Sequence, residues 1–116
     1  MDWAARHCVP CEGGIPPLTA FAAAAALRSL PGWDLRDGAT RIHRHYRFRD
    51  FKEAMRFVDA LAVVAEGEGH HPDFTVHYAT VDVELWTHAV GGLSDNDFIV
   101  AARLDALPEA AAARPG

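Results

Sequence analysis

Glu66, His70, His71 and His88 are the residues of this chain whose types and spacing suit chemistry. The first three form E-x-x-x-H-H-P with Pro72, and His88 stands at the exit of a strand expected over Val81 to Thr87. Imidazole gives and takes protons near neutrality, its ordinary pKa being about 6.5. Two differently placed imidazoles can therefore serve one reaction as general acid and general base. A helix stopped by Gly67 and Gly69 would aim its carbonyl dipoles at this loop, which favours a protonated imidazole there, and Glu66 adds a carboxylate. Two other readings of the same residues stay open. Glu66, His70 and His88 are metal-ligand types, although glycines that break the helix would spoil the spacing of the first two. A structural role is the third: His70 as a helix-end cap, His71 as a surface residue before proline, His88 as a core hydrogen-bonder.

The rest of the chain must position these groups. Thr19 can cap a short helix carrying Phe21, Ala24, Leu27 and Leu30 at helical spacing, ended by Pro31-Gly32. Trp33-Asp34-Leu35 and Ile42 to Phe48 read as two strands around a turn at Asp37-Gly38. Asp50 and Glu53 resemble a capping box before an apolar stripe of Phe51, Ala54, Met55, Val58, Leu61, Ala62 and Ala65. A second hairpin follows, with Phe74, Val76 and Tyr78 alternating with polar residues and Val81, Val83 and Leu85 doing the same. Ser94 then caps a last helix that turns Phe98, Ile99, Ala102 and Ala106 inward. The expected order is α-β-β-α-β-β-α: an α+β, single-domain, two-layer sandwich whose four-stranded antiparallel sheet carries three helices on one face. The boundaries expected are a flexible N-terminal arm over 1–18, the domain over 19–108 and a frayed tail over 109–116.

These elements rank the remaining candidates. His43, His45 and His77 have the parity of the polar sheet face, which suits solvent or a subunit contact. Trp86 shares parity with His88 and could wall a flat ligand, or meet another subunit. Asp97, at the third position of the last helix, has capping as its default role.

With 116 residues the chain has room for one domain, and its formal charge of -5 removes the basic footprint of a nucleic-acid binder. The local basic stretch over residues 36 to 56 reads as a solvated face. No apolar run reaches the roughly 18 residues that span a bilayer, and the start lacks the basic region of a signal peptide, so a cytoplasmic protein is expected. Cys8-x-x-Cys11 lacks both a second ligand pair for zinc and the strand and helix of a redox motif.

Glu66-Gly67-Glu68-Gly69-His70-His71-Pro72, with His88 in Leu85-Trp86-Thr87-His88, resembles the pterin-4a-carbinolamine dehydratases. Gly32-Trp33, Ile42, Tyr46-Arg47-Phe48, Asp50-Phe51, Ala54, Phe57, Ala65, Tyr78, the Val81-x-Val83-x-Leu85 strand, Gly92-Leu93-Ser94 and Asp97 fall in register with them. The similarity covers about residues 31 to 106. It implies the same sandwich, joined through sheet edges into a homodimer or homotetramer. It also implies a hydro-lyase that removes water from 4a-hydroxytetrahydropterin to give quinonoid dihydropterin, in recycling linked to an aromatic amino acid hydroxylase. No metal and no organic cofactor is implied, since the pterin is the substrate. On this resemblance His70, His71 and His88 line the site, with His70 and His88 in proton transfer, His71 mainly in binding and Glu66 orienting His70. Gly69 to His71 and Trp86, Thr87, His88 and Ala89 would contact the pterin, and Asp97 matches a family position near it. Trp86 is bulkier than the family pattern leads one to expect. The alternative is a protein-interaction module on the same fold with little physiological catalysis.

Overall fold

The alternation within the two hairpins builds the sheet. In the computed structural model of the protein, which describes residues 2–10 and 14–114, β1 (Asp34–Arg36) pairs with β2 (Arg41–Arg47) and β3 (Asp73–His77) with β4 (Thr80–Leu85). All pairings are antiparallel, in the order β1-β2-β4-β3. The central β2–β4 register sets Ile42 opposite Leu85 and Tyr46 opposite Val81, and with Val83 these side chains are buried. Successive strand residues face opposite ways, so Arg41, His43, His45, Asp82 and Glu84 occupy the other face. Three helices, α1 (Ala20–Leu27), α2 (Phe51–Glu68) and α3 (Asp95–Asp105), accompany the sheet in the expected order. The architecture is the α+β sandwich read from the sequence.

The helix starts follow their caps. Thr19 Oγ1 accepts from the Ala22 amide at 3.1 Å, and Asp50 Oδ1 from the Glu53 amide at 2.9 Å. Glu53 reaches one residue further back than a capping box requires, to the Arg49 amide at 2.8 Å. Two helix faces differ from expectation. Phe21 is 82% exposed while Ala23 is buried, because an alanine run offers no pattern by which to choose a face. In α2, Phe57 joins Ala54, Val58, Leu61 and Ala65 in the core, whereas Phe51 and Ala62 lie outside it. Gly67 does not stop α2 either. The helix runs through it to Glu68, and Gly69, at φ 63°, supplies the left-handed cap. An internal glycine costs only about 1 kcal/mol relative to alanine, which the packing of α2 outweighs.

The core centres on Tyr46, whose ring lies 4.5 Å from that of Phe57 and 6.3 Å from that of Phe48. Its hydroxyl donates to Asp105 Oδ1 at 2.5 Å, where the Arg44 guanidinium (2.9 Å) also donates, and the Trp33 indole donates to Oδ2 (3.0 Å). Burial pushes the Asp105 carboxyl above its ordinary value despite these donors, and pushes the Tyr46 phenol up as well.

Both ends of the chain depart from the expected boundaries. Residues 2–10, read as part of a flexible arm over 1–18, are docked on α3. Trp3 is 7% exposed, with its ring 5.5 Å from that of Phe98. Burying so large an apolar surface, and satisfying the extended backbone with side chains of α3, ties the segment down. At the other end, where a frayed tail over 109–116 is expected, Pro108–Ala112 forms a 3₁₀ turn and the Arg114 amide donates to the Arg47 carbonyl at 2.6 Å; residues 115–116 lie outside the described residues. Among the described residues no helix is long and apolar enough to cross a membrane.

Candidate active site

The left-handed turn at Gly69 decides where the histidines point. It swings the chain off the end of α2, with the His70 amide still bonded to the Ala65 carbonyl at 3.2 Å, and sends the His70 ring toward the first turn of α3. There His70 Nε2 donates to Asp97 Oδ1 at 2.6 Å. Asp97 is 0% exposed. Its second oxygen accepts from Thr87 Oγ1 at 2.8 Å and from the Ser94 amide at 3.0 Å. Thr87 and Ser94 share a hydroxyl–hydroxyl bond of 2.8 Å. A carboxylate tied on both oxygens cannot rotate, so it fixes the tautomer and the plane of the imidazole it holds.

Glu66 is not the partner of His70. Because α2 continues past it, Glu66 stays on the exposed side of the helix and meets His71 Nε2 at 2.9 Å, the two side chains being 78% and 60% exposed. The expected pairing is therefore exchanged: His70 with Asp97, His71 with Glu66.

Beyond β4, the Thr87 amide donates to the Gly92 carbonyl at 2.7 Å. This closes a loop whose 3₁₀ turn, His88–Val90, presents His88. The His88 ring lies 3.7 Å from the Trp86 ring between centroids, inclined by 36°. The Arg41 guanidinium lies 4.3 Å from the same indole and is itself paired with Glu84 at 2.6 Å. Trp86 thus orients His88. Its indole N–H is buried and finds no hydrogen-bond partner among the described residues.

An open cleft of about 830 Å³ gathers these groups. Glu66, Gly69, His70 and His71 line one side, and Trp86, Thr87, His88 and Ala89 another. Asp97 lies beneath the lining and reaches the cleft through His70. Among the described residues no set of three or more histidine, cysteine, aspartate or glutamate side chains is arranged to hold a metal ion.

Cys8, Val9, Pro10, Glu68 and Asn96 also line the cleft; none of them was expected there, Cys8 having been read as part of a loose arm and Glu68 only as part of the motif. The one advance signal was Trp3, an aromatic too large to leave in a loose arm. The buried Glu68 accepts from the Cys8 amide at 2.7 Å and from His7 at 2.9 Å. Burial works to raise its carboxyl, but those bonds and the nearby Arg103 hold it below the usual range. The Cys8 thiol is pushed up to about 12, first by burial and then by Glu68, so it is no nucleophile near neutrality. Cys11 lies outside the described residues. His43 and His45 sit on the opposite sheet face and share Asp82 Oδ1 at 2.9 and 2.8 Å. Much of the basic stretch over 36 to 56 is matched by acids, as in Arg36–Asp34, Arg41–Glu84 and Arg44–Asp105.

Residues 16–107 match the family model described as pterin 4 alpha carbinolamine dehydratase. The chain belongs to this family. A protein of Dechloromonas aromatica (strain RCB), provisionally named a pterin-4-alpha-carbinolamine dehydratase, is 55% identical over 104 residues, which cover 90% of this chain and 91% of that one. A provisionally named relative from Methylococcus capsulatus (strain ATCC 33009 / NCIMB 11132 / Bath) is 47% identical over 89% of this chain and 90% of its own length. Among solved structures, a transcriptional coactivator/pterin dehydratase from Brucella melitensis superposes with a TM-score of 0.74 at 38% identity, over 78% of this chain and 96% of that one. A pterin dehydratase-like RuBisCO assembly factor of the alpha-carboxysome shares the fold, with a TM-score of 0.58 at 23% identity, over 66% of this chain and 89% of the other. The dehydratase-family segment thus includes both cleft-lining histidine stretches, but not residues 2–10.

Proposed function

We propose that the protein dehydrates 4a-hydroxytetrahydropterin to quinonoid dihydropterin, with His70 and His88 as the proton-transfer pair. The observation that carries this reading is the bond from His70 to the buried Asp97 on one side of the cleft, facing a loop that offers His88. Asp97 holds Nε2–H, which leaves His70 Nδ1 as the nitrogen that exchanges a proton with the ligand. The reaction must protonate the oxygen on C4a, break that C–O bond with the electron pair leaving on water, and form the C4a–N5 double bond as the N5 proton passes to a base. One imidazole gives a proton and the other takes one, so the pair ends with the same total charge.

His71, exposed and paired with Glu66, binds the ligand and is not the main acid or base. Backbone groups of Gly69 to His71 and of Trp86 to Ala89 meet the donor and acceptor edge of the pterin. The reading calls for no metal or organic cofactor, since the pterin is the substrate. Its sheet edges suit association into a homodimer or homotetramer, and the product suits recycling for an aromatic amino acid hydroxylase in the cytoplasm. Stopped-flow absorbance tests the reading: 4a-hydroxytetrahydropterin should decay faster with the protein than without it, and an unchanged rate overturns the proposal.

A second reading, a protein-interaction module on this fold, draws on the double name of the Brucella relative and on the exposed Phe51 and Val63 of α2. It is favoured if a variant lacking both His70 and His88 imidazoles still captures a defined protein partner that the wild type captures.

A further inference from the structure

Residues 2–10 lie outside the family-matched segment, which begins at residue 16, yet they are fastened to the molecule at nearly every step. Trp3 packs on Phe98. The Arg6 carbonyl accepts from Arg103 Nε at 2.9 Å and from its terminal nitrogen at 2.5 Å. His7 and the Cys8 amide are held by the two oxygens of Glu68, at 2.9 and 2.7 Å. The Val9 amide donates to Asn96 Oδ1 at 3.1 Å, and Asn96 Nδ2 returns a bond to the Val9 carbonyl at 2.6 Å.

These anchors share a purpose that folding alone does not require. Glu68 is the last residue of α2, one position before the Gly69 turn that aims His70, and Asn96 adjoins Asp97 in the first turn of α3. The strap is therefore clamped to the two helix ends that also build the histidine site. What it delivers beyond the clamp is apolar surface: Val9, 67% exposed, and the exposed Pro10 both line the cleft. An exposed apolar pair held at a cleft by two hydrogen bonds to the Asn96 side chain and by the Glu68 carboxylate gains little for stability. It gains its burial when something flat and partly apolar occupies the cleft.

We infer that the N-terminal strap is one wall of the ligand site, with Val9 and Pro10 packing against the bound pterin and Glu68 and Asn96 acting as positioning residues that hold the wall in place. The inference rests on the pterin reading above. It assigns a binding role to a segment distinct from the histidine loops, and it places that role in affinity and not in proton transfer.

The test uses the full chain with three substitutions, each made singly. Val9→Asp sets a charge against the ligand. Arg103→Ala releases the strap at the Arg6 carbonyl and removes the guanidinium 3.7 Å from the Glu68 clamp, without substituting a residue that lines the cleft. Affinity for 7,8-dihydropterin is read by quenching of tryptophan fluorescence, and KM and kcat by stopped-flow dehydration. Val9→Asp should weaken binding and raise KM roughly tenfold, the scale set by an unpaired polar group on an apolar contact, with kcat within about twofold. Arg103→Ala should move KM in the same direction, and Val9→Ile should restore wild-type values. A purely structural strap predicts a lowered Tm with KM unchanged. Wild-type affinity and KM in Val9→Asp overturn the inference. A wild-type protein that neither binds dihydropterin nor speeds the reaction overturns the pterin reading itself, and this inference with it.

Discussion

Two aspartates of this protein each hold histidine, and they do so in opposite settings. Asp97 lies under the cleft, fully buried, with Thr87 and Ser94 on one oxygen and His70 on the other. Asp82 lies on the helix-free face of the sheet and divides one oxygen between His43 and His45. Partial burial works to raise the Asp82 carboxyl, and the bonds from His45 and then His43 outweigh it and hold it below the usual range. Both are imidazole–carboxylate contacts of similar length. The difference is that Asp97 is immobilised by groups other than its histidine and lies under a cleft of about 830 Å³, whereas Asp82 is only partly buried and borders a depression of about 220 Å³. What turns a histidine into a candidate acid or base is how firmly its partner is held and what volume lies on its far side. The number of histidines nearby decides nothing.

The largest expected effect separates the two regions directly. His70→Ala and His88→Ala should each lower the dehydration rate constant by roughly 100- to 10,000-fold, the range of a general acid or base. His43→Ala and His45→Ala should leave it within about twofold. Stopped-flow rates on folded proteins check both, and equal losses on the two faces would collapse the comparison.

A smaller effect is expected at Asp97, which touches no ligand and acts through His70. Asp97→Asn should slow turnover by roughly 10- to 100-fold, as for other groups that orient a functional imidazole, and should displace the pH–rate profile, which a merely packing role would not do. Unfolding in urea should show a cost of about 1–3 kcal/mol for the disturbed bonds to Thr87 and Ser94.

The smallest effect concerns stability in acid. The native Asp82 value is depressed, so its contribution is fully present above the unfolded carboxyl value near 3.9 and is lost as pH falls through the native one. Asp82→Asn should therefore show a flatter loss of stability than the wild type below about pH 4, with turnover at neutral pH unchanged. Urea midpoints at several acid pH values check the slope.

The fold was legible because its signals are local. Thr19 and Asp50 mark helix starts, and the alternation of Ile42, Tyr46, Val81, Val83 and Leu85 marks the buried sheet face within a few residues of chain. The histidine stretches were legible for the same reason. The partners were not, since His70 and Asp97 stand 27 residues apart, and nothing near His70 says that Gly69 will turn it toward α3 while Glu66 remains on the outer side of α2. The docking of Trp3 and the clasp between Val9 and Asn96, 87 residues apart in the chain, are invisible to any periodicity. Phe21 was misplaced because its alanine neighbours carry no contrast from which a face can be read.

Asp97 closes the first turn of α3 through the Ser94 amide with one oxygen and seats His70 with the other. The start of a helix and the alignment of an imidazole therefore depend on one carboxylate. Fraying at this helix end would disarm the site before the core had opened, making turnover a more sensitive thermometer of local order than any signal from the bulk of the chain.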